Sequence, residues 1–209
     1  MEVIRSVETI RNKTKITFES GWQVWFLNRQ EFPFPLSEGT EVDRTSFEKT
    51  ILLMQYPSAL DRAVAMLARR PHSKGEISRK LKNAHYDHEV ISLVLFKLEK
   101  EKLLNDLDFA RQWVESRMQK YGANRIRQEL RLKEIPSEII DEVLETATEE
   151  EQVQQAAAFV QKKLRTFHAS DDRQKVFRNI VAALVRRGFS WETARQAFQI
   201  ASDTFPEDE

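Results

Sequence analysis

The sequence predicts a mainly α-helical protein in which three tandem three-helix repeats follow a small N-terminal extension that contains a β-hairpin. Two observations support this fold class. The pattern Ile-x-x-x-Leu recurs in one register at residues 77–81, 126–130 and 180–184, whereas apolar and polar residues alternate in the first part of the chain. Because stacked helical repeats form elongated superhelical bodies, we expect an elongated, curved shape.

Residues 1–57 form the β-rich extension in this prediction. Alternation in Lys15–Phe18 and Trp22–Phe26, on either side of Ser20-Gly21, predicts a β-hairpin. Val3–Ile10 is expected to add a strand. The prolines within Phe32–Leu36 predict an extended edge, since proline cannot donate to an interior ladder. We expect the extension either to cover the core of the first repeat or to contact a partner.

A short helix closes the extension. Asp43 can accept a hydrogen bond from an early helix amide, and Phe47 and Ile51 follow at helical spacing. We expect this helix to end at Tyr56-Pro57, because the residue before a proline is biased away from the helical conformation. The boundary between the extension and the first repeat is placed there.

The first repeat is predicted to span residues 58–104. Its first helix has the apolar face Leu60, Val64 and Leu67. Ser73 and Glu76 have the spacing of a capping box at the start of the second helix, and Asp87 can cap the third. The predicted buried stripe of the third helix is Ile91, Val94, Leu95 and Leu98.

The second and third repeats are predicted at residues 105–148 and 149–209, the last including a C-terminal tail. In each copy a bulky apolar residue follows the core leucine by five positions; these residues are Tyr86, Ile135 and Phe189. The third copy opens with a longer helix, whose predicted buried face is Val153, Ala157, Val160, Leu164 and Phe167. Agreement at several positions in three copies indicates true repetition.

Composition argues against several classes of protein. The chain has no cysteine, which excludes disulfides and thiolate metal sites and favours a cytoplasmic location. No apolar run approaches the roughly 20 residues that span a bilayer, so we expect no membrane association. The formal net charge is zero, but it is +4 over residues 59–104 and −3 over residues 105–149. A local basic face is therefore compatible with the sequence.

No catalytic constellation is found in the sequence. The five glycines, at positions 21, 39, 75, 122 and 188, form no phosphate-binding loop. The spacing of His72, His85, His88 and His168 does not suggest a metal site. We interpret Asp106 and Asp108 as acids at the start of a helix, not as magnesium ligands. We expect no enzyme activity and no cofactor.

Basic residues gather on the second helix of each repeat, away from its Ile/Leu stripe. The candidate partner-binding residues are Arg79, Lys80, Lys82, Arg125, Arg127, Arg131, Arg173, Lys175, Arg178, Arg186 and Arg187. Lys82 and Arg131 occupy the same repeat position, one past the core leucine, where the third copy has Val185. A solvated helix face is the alternative interpretation. Phe109, Trp113 and Trp191 are expected to pack in the core and not to stack on bases.

The central repeat contains the segment Asp106-x-x-Phe109-Ala110-x-x-x-Val114-x-x-Arg117, with Tyr121-Gly122 and Ile126-x-x-Glu129-Leu130 after it. This order of residues resembles the central repeat of the RecX family, regulators of the recombinase RecA. Ser73-x-x-Glu76-Ile77 resembles its first repeat and Gly188-Phe189 its third. The likeness covers about residues 59–201. One departure is Asn83-Ala84-His85, where a glycine is typical of the family.

The resemblance implies a protein without an active site that docks in the groove of the RecA filament on single-stranded DNA. By blocking filament extension it would restrain recombination, ATP hydrolysis and the SOS coprotease activity of the filament. We expect a cytoplasmic monomer with at most weak direct affinity for DNA. Two alternatives remain open: a direct DNA-binding helical protein, for which a neutral chain is unusual, and a generic helical adaptor.

Overall fold

The computed structural model describes residues 1–27, 32, 35–145, 148–167 and 172–203. Within these residues it has four strands and nine helices. The fold falls into two compact units, Met1–Asn105 and Asp106–Glu209. The first unit contains all the described strands and three helices, and the second contains six helices. The predicted class, helical repeats behind a β-containing extension, is confirmed.

A four-stranded antiparallel sheet forms the extension. Its strands are β1 (Glu2–Ile10), β2 (Lys13–Phe18), β3 (Gln23–Leu27) and β4 (Glu41–Val42), in the spatial order β3-β2-β1-β4. The hairpin and the strand over Val3–Ile10 are confirmed. The edge strands are β3 and β4, and β4 is not among the strands predicted from the sequence. Of the predicted edge at Phe32–Leu36, Pro33 and Phe34 lie outside the described residues, and the other three have no regular structure.

One face of the sheet is closed by aromatic packing. Phe18 is fully buried, its ring stacks on Trp22 at 4.6 Å, and the edge of Phe47 approaches it at 5.3 Å. Val24 and Phe26 are buried on the same face, as the alternation predicts. Since Phe47 belongs to the following helix, this cluster fastens that helix to the sheet.

The first helix, α1 (Arg44–Leu67), is longer than expected. Asp43 caps it as predicted by accepting from the N–H of Ser46 at 2.9 Å. The predicted end at Tyr56-Pro57 is wrong, since the helix runs through Pro57. A proline removes one helical hydrogen bond, and packing along one continuous buried stripe compensates for it. That stripe is Phe47, Ile51, Gln55, Ala59 and Ala63. The boundary proposed after residue 57 thus falls inside a helix.

Gln55 explains why α1 does not break at the proline. Its side-chain amide donates to the carbonyl of Trp25 at 2.7 Å, and its side-chain oxygen accepts from the N–H of Asp87 at 2.7 Å. One buried side chain therefore connects the sheet to the start of the third helix. Of the predicted face, Leu60 and Leu67 pack partly buried against the core, whereas Val64 is 43% exposed. The fully buried residues of this part of the helix are the small Ala59 and Ala63, which the sequence did not predict.

The first repeat continues with α2 (Lys74–Asn83) and α3 (His88–Lys100). The capping box is confirmed: Ser73 Oγ accepts from the N–H of Glu76 at 3.1 Å, and the N–H of Ser73 donates to the Glu76 carboxylate at 3.4 Å. Asp87 caps α3 as expected. The extension and this repeat share one apolar core, and Trp25 stacks on His85 at 4.3 Å. The extension therefore covers the first repeat.

The second unit contains six helices of the described chain. They are α4 (Asp106–Met118), α5 (Ala123–Leu132), α6 (Ser137–Glu145), α7 (Glu149–Leu164), α8 (Arg173–Arg186) and α9 (Trp191–Asp203). The described part of the second unit has two apolar cores. One contains Ile126 and Leu130 and the other contains Ile180 and Leu184, and each of these residues is at most 2% exposed. Of the face predicted for α7, the residues Val153, Ala157 and Val160 are buried, and Leu164 and Phe167 pack partly buried against the same core.

A left-handed turn ends the middle helix of every repeat. His85, Glu134 and Gly188 occupy equivalent positions and have φ of 63°, 59° and 90°. The next residue in each case donates its N–H to the carbonyl of the core leucine at 3.2 Å, the arrangement of a Schellman motif. The first repeat therefore has the same turn as the others, although His85 stands where a glycine is typical of the family.

Glycines allow two backbones to touch inside the second unit. The N–H of Gly122 donates to the carbonyl of Arg187 at 3.0 Å, and the N–H of Asn124 donates to that of Gly188 at 3.1 Å. The second bond satisfies a first-turn amide of α5, whose N-cap residue Gly122 has no side chain to do so, and Gln152 Oε1 accepts from the N–H of Ala123 at 3.3 Å. A Cβ on Gly122 would collide with the carbonyl of Gly188. Main-chain hydrogen bonds thus connect the second and third repeats.

Replacing Glu134 by glycine should stabilise the protein, because glycine adopts positive φ without the steric cost that a Cβ adds. Glu134→Ala keeps that cost and removes the carboxylate, so it is the matched control. We expect Glu134→Gly to exceed Glu134→Ala by about 1 kcal/mol in free energy of unfolding, measured by urea denaturation. If the two variants have equal free energies of unfolding, the positive φ of residue 134 carries no strain and the prediction is wrong.

Gly122→Ala should destabilise the protein by about 1–3 kcal/mol, the usual cost of overpacking. The backbone of Gly122 has φ −76°, which alanine accepts, so the loss would come from the collision alone. Gly39→Ala is the comparison: its added Cβ has open space, so it should lose only the roughly 1 kcal/mol that its positive φ of 80° costs. The same denaturation experiment measures both variants, and a Gly122→Ala protein as stable as the parent would refute the close contact.

Candidate partner-binding surface

The buried Ile/Leu pair of each middle helix decides which of its side chains face water. The isoleucine and the leucine are four residues apart and therefore lie on the same face of the helix, so side chains on its other faces point toward water. Of the predicted binding residues, seven are exposed: Arg79, Lys82, Arg131, Arg173, Lys175, Arg178 and Arg186. Lys82 lies in the first unit and Arg131 in the second, each directly after a fully buried leucine. Val185, at the matching position of the third repeat, is 44% exposed.

Three of the predicted binding residues are held by the fold. Arg125 donates to Glu129 at 3.2 Å and lies 3.9 Å above the ring of Tyr121. Arg127 forms an ion pair with Asp141. Arg187 lies 4.1 Å above the ring of Phe159. Because these guanidinium groups already have partners, they are less available to another molecule than the exposed cations are.

Lys80 belongs to a polar cluster at the start of α2. Its ammonium lies 3.0 Å from Nε2 of His72, whose Nδ1 lies 2.9 Å from the carbonyl of Arg70. Arg70 in turn pairs with Glu76 at 3.2 Å. A neutral imidazole satisfies both contacts of His72, with Nδ1–H donating to the carbonyl and Nε2 accepting from the ammonium. Burial lowers the pKa of His72, and the charges of Arg70 and Lys80 lower it further.

The aromatic residues divide between core and surface. Phe109 is buried, and Trp113 donates to Glu129 at 3.1 Å between the cations of Arg117 and Lys133, at 4.6 and 4.1 Å from its ring. The core position predicted for Trp191 is wrong, since its side chain is 56% exposed. Trp191 is the first residue of α9, and the buried stripe of that helix consists of small residues, Ala194, Ala197 and Ala201.

Acidic residues at helix starts behave as expected. Asp106 and Asp108 lie in the first turn of α4, where the helix dipole favours negative charge. Across the described part of the chain, no group of three or more His, Asp and Glu side chains is arranged to hold a metal ion; His168 is outside that part. The described helices also include none that combines the length and apolar character needed to cross a membrane.

Models of three RecX domains match this chain in order. The first three-helix domain matches residues 59–98, the second residues 105–144 and the third residues 149–198. The chain belongs to the RecX family. Each RecX domain match includes one Ile/Leu pair and its left-handed turn, so the family pattern coincides with the three buried cores.

Individual RecX proteins give the same result. Regulatory protein RecX of Chlorobaculum tepidum is 37% identical over 68% of this chain and 88% of its own length. That of Prosthecochloris aestuarii is 36% identical over 66% of this chain and 89% of its own length. A crystal structure of regulatory protein RecX covers 97% of the chain with a TM-score of 0.63, and that of RecX from Lactobacillus salivarius covers 70% with 0.66. Both structures are 22% identical and show the common fold.

Stability should fall as the pH is lowered, in part through His72. Because its folded pKa is depressed, the unfolded chain binds a proton first, near its ordinary pKa of about 6.5. The free energy of unfolding should therefore decrease from about pH 7 to pH 5, and His72→Gln should reduce the size of that decrease. Urea denaturation at both pH values measures it. A pH dependence that His72→Gln leaves unchanged would contradict this contribution of His72.

Proposed function

We propose that this chain regulates the recombinase RecA by docking in the groove of the RecA filament on single-stranded DNA. Membership of the RecX family, supported by all three repeats in order, is the observation that carries the proposal. The matched relatives bear the name of regulatory proteins. The chain would occupy the groove, stop filament extension and so reduce recombination, ATP hydrolysis and SOS coprotease activity. It would act by binding, as a monomer in the cytoplasm.

The exposed cations of the middle helices would make the contact. Lys82, Arg131 and Arg178 are exposed, and no ion pair ties them within the described residues. Each stands on a helix that a buried Ile/Leu pair holds in place. Charges fixed on a rigid helix face attract acidic groups of a partner, or phosphates, without a large cost for ordering the backbone. The cations held by the fold, such as Arg127, would contribute less.

Charge reversal tests this surface. The triple variant Lys82→Glu, Arg131→Glu and Arg178→Glu should raise the concentration for half-inhibition of RecA ATP hydrolysis on single-stranded DNA by about tenfold or more. The loss is expected because three attractive contacts become repulsive. The measurement is ATP hydrolysis by RecA during a titration with the full-length protein at fixed salt. The unaltered protein should inhibit below one molecule per RecA subunit, since blocking growth affects many subunits.

A matched triple variant controls for charge and stability. Lys49→Glu, Lys120→Glu and Lys163→Glu makes the same change in net charge at exposed positions outside the middle helices. It should inhibit like the unaltered protein, and both variants should show the parent circular dichroism spectrum. The proposal fails for this surface if both triples inhibit equally, and for RecA altogether if the unaltered protein leaves hydrolysis unchanged at every ratio.

Direct binding to single-stranded DNA is the second candidate. The exposed Trp191, with the guanidinium of Arg195 5.7 Å from its ring, resembles the aromatic and cationic pairs on which bases stack. The balanced net charge argues against extensive phosphate contacts. Tight binding to bare single-stranded DNA that weakens steeply with salt and is lost in Trp191→Ala would favour this candidate over filament docking.

A further inference from the structure

The first unit has an apolar groove beside its core. It runs between α1 and α3 and has a volume of about 460 Å³. Leu53 of α1 is 79% exposed there, and Leu93 and Phe96 of α3 are 46% and 63% exposed. Single exposed apolar side chains are common on proteins, but several large ones that line one concave groove indicate an interaction site.

These side chains belong to a second apolar stripe on each helix. The core stripe of α3 includes Val94 and Leu98, both fully buried, whereas Leu93, Phe96 and Lys100 follow one another on another face at helical spacing. On α1, Leu53 likewise lies off the stripe that contains the buried Ile51, whereas Leu52 and Tyr56 line the groove and also pack partly buried against the core. The groove thus lies beside the core, and Leu53, Leu93 and Phe96 are the large apolar side chains of its lining that are exposed.

The polar groups of the groove are basic or accept hydrogen bonds. The side chains of Lys97 and Lys100 line it beside the apolar residues. Lys97 contacts Glu101 at 2.7 Å, and Lys100 has no ion pair within the described residues. Pro57, also in the lining, has no N–H to donate to the carbonyl of Leu53 four residues earlier. A fitting partner is apolar in the middle and carries acidic groups beside it.

We propose that this groove binds an acidic amphipathic helix of a partner protein. Apolar side chains one turn apart would fill the space over Leu53 and Phe96, and carboxylates next to them would face Lys100. Lys97 would contribute less, because it is already paired with Glu101. A cleft between two helices is the shape that receives a third helix. The site goes beyond the proposed RecA docking, because it lies on α1 and α3 and not on the basic middle helices.

Two other occupants fit the observations less well. A second copy in a twofold dimer would bring the same patch against itself, so the lysines of both copies would share one interface without added acids. A membrane surface is met by a convex amphipathic helix face, whereas these apolar side chains line a groove. Charge complementarity and concave shape therefore favour the acidic helix.

The test uses a fluorescein-labelled model peptide of about 15 residues, long enough for a helix on a surface, with leucines at i, i+3, i+4 and i+7 and glutamates on the other face. A second peptide has lysine in place of each glutamate. Fluorescence anisotropy with the full chain should show the acidic peptide binding at least about tenfold more tightly than the basic one. Phe96→Glu and Leu53→Glu should each weaken that binding about tenfold or more.

Two variants test the role of charge and control for nonspecific hydrophobic binding. Lys100→Glu should reduce the preference for the acidic peptide, while Leu132→Glu should not, since Leu132 is 75% exposed but lies on α5 in the second unit. Both altered groove residues are exposed, so thermal melting should show each variant folded. If Leu132→Glu weakens peptide binding as much as Phe96→Glu does, the binding is nonspecific hydrophobic association and the proposal is overturned.

Three further outcomes would also overturn the proposal. The first is equal affinity for the two peptides, or no binding of the acidic one. The second is a concentration-dependent dimer in sedimentation equilibrium that Leu53→Glu abolishes, which assigns the groove to a second copy. The third is binding to phosphatidylglycerol vesicles that Phe96→Glu abolishes, which assigns it to a lipid surface.

Discussion

The buried isoleucine and leucine one turn apart on each middle helix are the contacts on which the repeats depend. Ile77 and Leu81, and their equivalents in the other repeats, are at most 2% exposed. The middle helices α2 and α5 are only 10 residues long, too short to persist alone in water, so burial of this pair holds them in place. The same burial forces the charged side chains outward. The exposure of the basic side chains is thus a consequence of the core.

A common turn after the core leucine extends this constraint to the backbone. The three turns have the same hydrogen bond and the same sign of φ, although only Gly188 is a glycine. Gly188 is needed for a second reason, because a Cβ there would also collide with the main chain of Arg125. The residue type at this position therefore follows from what lies beside the turn and not from the turn alone.

The first unit combines structural and binding features in one pair of helices. Through its buried stripe and Gln55, α1 joins the sheet to the first repeat, which explains why the extension and that repeat share one core. The same two helices line the apolar groove. The proposed RecA-binding cations lie on other helices, so the groove and these cations are separate sets of side chains. Each can be altered while the other is kept.

Local patterns in the sequence were sufficient for the elements whose cause is local. The hairpin, the caps at Asp43, Ser73 and Asp87, and the three Ile/Leu pairs follow from alternation, capping chemistry and helical spacing, and all are present. The resemblance to the RecX family rested on the order of residue motifs in the three repeats, and the matches to the three RecX domains confirm it. The candidate cations could be placed on helices, but their availability could not be read from the sequence.

Tertiary packing decided what depends on neighbours distant in the chain. The continuation of α1 through Pro57 rests on Gln55 and two alanines that meet the sheet and α3, and a proline alone predicts the opposite. Arg127 is engaged by Asp141, whereas Arg131, four residues later, is exposed. Whether a charge is presented or paired, and whether an apolar stripe is covered or open, depends on the packing of separate helices, because spacing within one helix describes only its own faces.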